Sequence, residues 1–175
     1  LQTEQGDYAS ALRSFRTILA KYRGDAQAVL GLERLIELSD DKELLTQILE
    51  PVYVGEQKFD KLVWLLTLKL PMVVDKVERK ALLRRIGDIS ENRLKDRDRA
   101  FEFARRSFEE DPADMGVRMW LEKVSADANK LADLAKAYVD VATKVESSLA
   151  TQLSRRAASL FQDKLDDLDS AVEQY

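Results

Sequence analysis

The sequence predicts an all-α protein built from internally repeated helix pairs. The chain has 175 residues but only 6 Gly and 3 Pro, so it is poor in the residues that tight hairpin turns require. Apolar residues recur at helical spacing along the whole chain, and no window of several residues alternates in twos as a half-buried strand does. Segments of the chain also match one another at two separate offsets.

Polar and turn-forming residues divide the chain into about ten predicted helices. In order, the helices span 7–22, 26–38, 42–54, 57–70, 75–94, 97–110, 114–126, 129–145, 148–165 and 168 onward. The breaks between them are Gly24-Asp25, Ser39 to Asp41, Gly55, Pro71, Asp96, Asp111-Pro112, Asp127 to Asn129, Ser147-Ser148 and Asp166-Asp167. Because every connection is short, consecutive helices are expected to be antiparallel neighbours.

Three of these segments show the apolar stripe most clearly, with residues three, four and seven positions apart on one helix face. The stripes are Tyr8, Ala11, Leu12, Phe15, Ile18, Leu19 and Tyr22; Leu44, Leu45, Ile48, Leu49 and Val52; and Leu131, Leu134, Ala135, Tyr138, Val141, Ala142 and Val145. Each stripe predicts one buried face.

The internal matches indicate a repeat of about 34–38 residues. With an offset of 71, residues 80–104 lie over 151–175, so that Arg84-Arg85 meets Arg155-Arg156 and Ala100 meets Ala171. With an offset of 89, Asp7 meets Asp96, Ala11 meets Ala100, and Leu32-Glu33 meets Leu121-Glu122. Two offsets that align equivalent helix positions predict a repeated helix pair.

The second helix of this pair reads Ala100-x3-Ala104-x2-Ser107-x4-Pro112, with partial copies beginning at Ala11 and Ala171, and the first helix contains Ile86-Gly87. This pattern resembles the tetratricopeptide repeat family. The resemblance implies a right-handed α-solenoid, a superhelix of antiparallel helix pairs. We call its first helices, which include 75–94, 114–126 and 148–165, the first-type helices. The segment 42–54 fits simple pairing poorly.

We expect residues 1–175 to form a single repeat domain, cut from a longer array. The helix predicted to begin at residue 7 resembles the second helix of a pair, but no first-type helix precedes it. Tyr175 lies barely two turns into another helix of this second type. Stacked repeats bury their faces only against neighbours, which is the basis of this expectation.

Composition argues against catalysis. The chain has no Cys and no His, which excludes disulfides, thiolate or imidazole metal ligands, and mechanisms that use a His base or Cys nucleophile. The glycines form no phosphate-binding loop. The acidic pairs Asp40-Asp41, Glu109-Glu110 and Asp166-Asp167 lie at helix junctions, where carboxylates are expected to serve the helix ends. We therefore expect no enzyme activity, no metal and no cofactor.

Charge and hydropathy exclude further classes. The net charge of −4 is unlike that of a nucleic-acid-binding protein. The densest apolar stretch, 62–66, is far shorter than a membrane span. Locally, however, the segment from Arg79 to Arg106 contains ten Lys/Arg and five Asp/Glu, which suggests a basic patch for an acidic partner or a solvated face with ion pairs.

The candidate binding residues follow from the repeat resemblance, because first-type helices line the concave groove of that family. They are Arg84, Arg85, Asp88, Lys123, Arg155, Arg156 and Arg34. The alternative is a solvated face, in which Arg84 merely pairs with Asp88 four residues later. The predicted partner is an acidic or amphipathic segment of another protein, and no nucleic acid is expected. Two other functions remain open: an RNA-processing scaffold of the half-a-TPR type, and a regulatory domain of a larger enzyme.

Overall fold

A computed structural model describes residues 2–22, 24–38 and 42–164, and within these ranges the chain is helical with no β-strand. The described part contains nine α-helices: α1 (Gln2–Lys21), α2 (Ala26–Leu38), α3 (Lys42–Gly55), α4 (Phe59–Lys69), α5 (Lys76–Ile89), α6 (Arg97–Glu110), α7 (Met115–Asp127), α8 (Leu131–Ala142) and α9 (Ser147–Lys164). The all-α prediction is thus confirmed. The predicted tenth helix, from 168 onward, and Ala171 lie outside the described residues.

The predicted boundaries agree closely with these helices, apart from the start of α1 and the ends of α5 and α8. Helix α1 begins at Gln2 rather than at residue 7, because one Gly within a helix costs only about 1 kcal/mol relative to Ala. Helix α8 ends at Ala142 rather than at 145. There the N–H of Lys144 bonds the carbonyl oxygen of Val141 at 2.9 Å, so the chain leaves the helix in a tighter turn.

The predicted helix 75–94 consists of α5 followed by a π-turn at Ser90–Leu94. The turn ends at Lys95, whose φ of 58° lies in the left-handed region. The N–H of Asp96 bonds the carbonyl oxygen of Ser90 at 2.9 Å. A lysine therefore takes the left-handed position at which helices more often place glycine.

Residue contacts divide the chain into two compact units, 1–79 and 80–175. In the first unit, α1 packs on α2, α2 on α3, and α3 on α4. In the second, α6 packs on α7, α7 on α8, and α8 on α9. Helix α3, which fits simple pairing poorly in the sequence, thus follows the same neighbour-to-neighbour packing as α8. The expectation of a single domain stays a prediction.

Each unit has its own buried apolar core. In the first unit the fully buried side chains include Leu32, Leu45, Leu49, Tyr53, Leu65 and Leu66. In the second, the core includes Phe101, Phe108, Trp120, Leu121, Tyr138 and Leu153. The rings of Phe108 and Tyr138 meet edge to face with centroids 5.4 Å apart, a favoured aromatic geometry.

Several aspartates cap helices. Asp96 accepts a hydrogen bond from the N–H of Arg99 at 2.9 Å, and Asp114 accepts one from Val117 at 3.1 Å. The acidic pair Glu109-Glu110 lies in the last turn of α6. Glu109 pairs with Arg105, and Glu110 lies 3.6 Å from Arg106, because these residues end α6 and face the basic residues one turn earlier. Asp40-Asp41 and Asp166-Asp167 lie outside the described residues.

Candidate functional site

The structure places six of the seven candidate residues in the second unit. Arg84, Arg85 and Asp88 lie on α5, Lys123 on α7, and Arg155 and Arg156 on α9. The seventh, Arg34, is an exposed residue of α2 in the first unit. The candidate site therefore lies in the second unit, on α5, α7 and α9, which are all predicted first-type helices.

Arg84 makes two contacts. Its Nε lies 3.1 Å from Oδ1 of Asp88, which is the ion pair of the solvated-face alternative. Its guanidinium also lies over the ring of Trp120 on α7, 4.5 Å from the ring centroid. Trp120 is only 3% exposed. Arg84 therefore covers a contact between α5 and α7 as well as pairing within its own helix.

Lys123 of α7 forms ion pairs with the π-turn that follows α5 and with its own helix. Its Nζ pairs with Glu91 of the π-turn and lies 3.1 Å from Asp127. The hydrogen bond to Glu91 is the main cause of the raised pKa of Lys123, and the hydrogen bond to Asp127 raises that pKa further. The positive charge of Lys123 is thus balanced by two carboxylates, so Lys123 adds little net positive charge to the surface.

Arg156 belongs to a three-residue cluster that joins α7, α8 and α9. The Tyr138 hydroxyl donates a 2.7 Å hydrogen bond to Oε1 of Glu122, and Arg156 pairs with the same oxygen. Burial is the main cause of the raised pKa of Tyr138, and the hydrogen bond to this carboxylate raises that pKa further. The phenol therefore remains a neutral donor at physiological pH.

The first unit contains an equivalent cluster. The Tyr53 hydroxyl donates to Oε1 of Glu33 at 2.7 Å, and Lys61 Nζ lies 3.0 Å from Oε2. Burial opposes ionisation of Glu33, but the hydrogen bonds from Tyr53 and Lys61 hold its pKa below the ordinary value. Glu33 and Glu122 are the glutamates that match at an offset of 89 in the sequence.

A cleft opens beside the cluster of the second unit, with a volume of about 480 Å³. We call it the α7–α9 cleft. Its lining consists of Glu122 of α7, Leu131, Leu134 and Tyr138 of α8, and Arg155, Arg156, Ser159 and Leu160 of α9. The cleft therefore combines an apolar wall with cations and a carboxylate. The sequence identified both arginines but missed the leucines, because their stripe is indistinguishable from ordinary core.

Arg155 differs from Arg156, the other cation that lines the cleft. It is exposed, and among the described residues it has no ion pair or side-chain hydrogen bond. Arg156 already holds Glu122. Among the described residues, one positive charge at the cleft is consequently left without a resident counter-charge.

The two clusters differ at the positions around the cation. The cation is Lys61 in the first unit and Arg156 in the second. Three residues after the cation, the first unit has Trp64 and the second has Ser159. One residue before the cation, the first unit has Asp60 and the second has Arg155. Lys61 lies over the Trp64 ring, 5.6 Å from its centroid. The second unit therefore replaces a bulky aromatic and an acid with a small hydroxyl and a base.

Comparison with known proteins adds no relative: no family model matches the chain, and no curated protein does. Across residues 2–22, 24–38 and 42–164, no group of three or more acidic side chains is placed to hold a metal ion. In the same part of the chain, none of the helices has the length and hydrophobicity to cross a membrane.

Proposed function

We propose that the protein is a non-catalytic protein–protein interaction scaffold of tetratricopeptide-like repeats, arranged as a right-handed α-solenoid. In this proposal, the first-type helices α5, α7 and α9 form one binding surface. The surface takes an acidic or amphipathic segment of a partner protein, in extended or helical form.

The spacing of contacts between first-type helices supports the repeat proposal. Glu91 and Lys123 are 32 residues apart, and Glu122 and Arg156 are 34 residues apart. A further contact, from Lys80 to the helix cap Asp114, also spans 34 residues. Tetratricopeptide repeats have a period of 34 residues, so contacts at this separation are what stacked repeats produce.

The α7–α9 cleft is the observation that carries the binding proposal. Clefts of about 300–1,000 Å³ with apolar walls and a few polar groups are typical ligand sites. Arg155 supplies a positive charge without an ion pair in the described part of the chain. Such a charge attracts acidic partners and speeds their encounter.

The test is affinity capture from the native source with wild type and the double variant Arg84→Glu plus Arg155→Glu. The double variant should recover less of the partner, and wild-type capture should weaken as salt rises, because charges are screened over about 8–10 Å at 0.1–0.15 M. A matched control, Arg97→Glu plus Lys136→Glu, makes the same charge change at exposed residues of α6 and α8.

Circular-dichroism melts of both double variants should stay close to wild type, because an exposed ion pair contributes only about 0–1 kcal/mol and the contact of the exposed Arg84 guanidinium with the Trp120 ring adds only about 0.5–1 kcal/mol. Equal recovery of the same proteins by wild type and the Arg84/Arg155 variant would exclude this surface. Recovery of RNA in place of protein would favour the RNA-processing scaffold instead. A crystal structure of the chain tests the handedness of the proposed solenoid.

A further inference from the structure

We infer that the α7–α9 cleft anchors one acidic–apolar residue pair of the partner, with the carboxylate on Arg155 and a leucine-sized side chain against the leucines of the cleft. This inference rests on the proposed function and specifies which chemistry the partner segment must present. The occupant is an internal segment of another protein, in which Asp or Glu adjoins Leu.

The charge requirement follows from the ion pairs at the cleft. Glu122 is the resident carboxylate, and it is engaged by both Tyr138 and Arg156. The cleft thus holds two guanidinium groups and one carboxylate. Arg155, which has no ion pair among the described residues, is the group that a partner carboxylate can reach without displacing Glu122. A guanidinium–carboxylate contact is among the stronger hydrogen-bonded pairs.

The apolar requirement follows from the wall of the cleft. Leu134 is buried, whereas Leu131 and Leu160 remain partly exposed where they line the opening. Removing such surface from water is favourable in proportion to its area. The segment must therefore supply an apolar side chain beside its carboxylate, and a simple acidic run would leave this wall uncovered.

The equivalent cluster of the first unit helps to distinguish the α7–α9 cleft from an ordinary packing defect. Both units keep a glutamate that binds a tyrosine hydroxyl and a cation. The two differ where an acidic–apolar ligand would bind: Asp60 and Trp64 in the first unit stand in the places of Arg155 and Ser159. The second unit thus has the same structural cluster together with a cleft and a cation that no described residue pairs.

The experiment is a titration of the ¹⁵N-labelled full chain with the dipeptide N-acetyl-Asp-Leu-amide, followed by NMR. The amide signals of Ser159 and Leu160 should shift progressively. Two matched probes remove one requirement each: N-acetyl-Asn-Leu-amide lacks the charge, and N-acetyl-Asp-Gly-amide lacks the leucine. Each should bind about tenfold more weakly, which is the effect of losing about 1.4 kcal/mol.

Variants assign the two requirements to residues. Arg155→Gln should bind the Asp and Asn probes equally. Ser159→Trp, which introduces the side chain found at the matched position of the first unit, should block all three probes. Lys136→Gln is the control, because Lys136 lies on α8 two residues from both Leu134 and Tyr138 and so on another face. The signal of the buried Leu153 reports whether each variant keeps its fold.

Three results would overturn the inference: no shift with the Asp probe, equal binding of the Asp and Asn probes by wild type, or shifts confined to α5 and α6. Tighter binding of N-acetyl-leucine, whose carboxylate is terminal, would overturn the internal segment as occupant. If the dipeptide fails while the Arg84/Arg155 variant still loses its partners, the scaffold stands and only this anchor is wrong. If the dipeptide binds while capture is unchanged, the proposed function fails.

Discussion

Gly87 occupies a position where a side chain has no room. A Cβ built on this residue would lie 2.4 Å from Cζ2 of Trp120 and 2.9 Å from Cη2. Trp120 is itself buried and covered by Arg84, so its ring has little freedom to move. Gly87 is the glycine of the Ile86-Gly87 pair on which the resemblance to the tetratricopeptide repeat partly rests. The tight contact that the structure shows is with α7, the next first-type helix.

We therefore expect Gly87→Ala to destabilise the fold. Overpacking costs about 1–3 kcal/mol, which exceeds the gain of about 0.5–1 kcal/mol in helix propensity. The matched control is Gly55→Ala, since a Cβ at Gly55 meets nothing within 4 Å. Urea unfolding should show a lower midpoint for Gly87→Ala and an equal or higher one for Gly55→Ala. Equal midpoints for both variants would mean that the Trp120 contact is not tight.

Glu33 should make the free energy of unfolding dependent on pH. Its folded pKa is lowered by Tyr53 and Lys61 against the opposing effect of burial, so its contribution is present above the unfolded pKa, about 4.3. That contribution is lost as pH falls through the lower folded pKa. Urea midpoints between pH 7 and 3 should fall less steeply for Glu33→Gln than for wild type. Glu43→Gln, at an exposed acid of α3, should keep the wild-type slope.

At the scale of single residues, sequence reasoning located charges better than their partners. The Arg84–Asp88 pair follows from spacing within one helix, and it is present. The partners of Glu122 could not be foreseen, because Tyr138 is 16 residues away whereas the corresponding Tyr53 is 20 residues from Glu33. A fixed offset therefore aligns the glutamates and misaligns the tyrosines.

At the scale of elements, helix positions were largely predictable and their ends less so. Apolar periodicity and turn residues determine where helices lie, as the agreement for α2 and α6 shows. Ends depend on local hydrogen bonds that a stripe does not encode. The π-turn after α5 illustrates this, because it places Lys95 in a left-handed conformation that the sequence gives no reason to expect.

Helix α6 offers a test of the predicted repeat register. Ala100, which the register places at a helix crossing, is 1% exposed. Ala100→Leu should overpack this position and destabilise the fold by about 1–3 kcal/mol. Ala132→Leu adds the same atoms at an exposed position of α8 and should change the urea midpoint little. A wild-type midpoint for Ala100→Leu would mean that α6 does not cross its neighbour at this residue.

For the whole molecule, the absence of His and Cys from the sequence leads to a prediction about ligands. Neither ATP with Mg²⁺ nor Zn²⁺ should raise the melting temperature, because the chain offers no phosphate loop and no thiolate or imidazole ligand. A specific ligand at a hundredfold excess over its Kd would add about 2.7 kcal/mol of stability. A clear upward shift with either ligand would contradict the scaffold proposal.

The Glu122–Tyr138–Arg156 cluster also bears on how fast a partner would bind. These three side chains already satisfy one another, so the floor of the cleft is set before any partner arrives and needs no rearrangement. Association at such a site is governed by diffusion and orientation, with rate constants of about 10⁵–10⁷ M⁻¹s⁻¹. Partner segments that differ in sequence should consequently differ mainly in how long they remain bound.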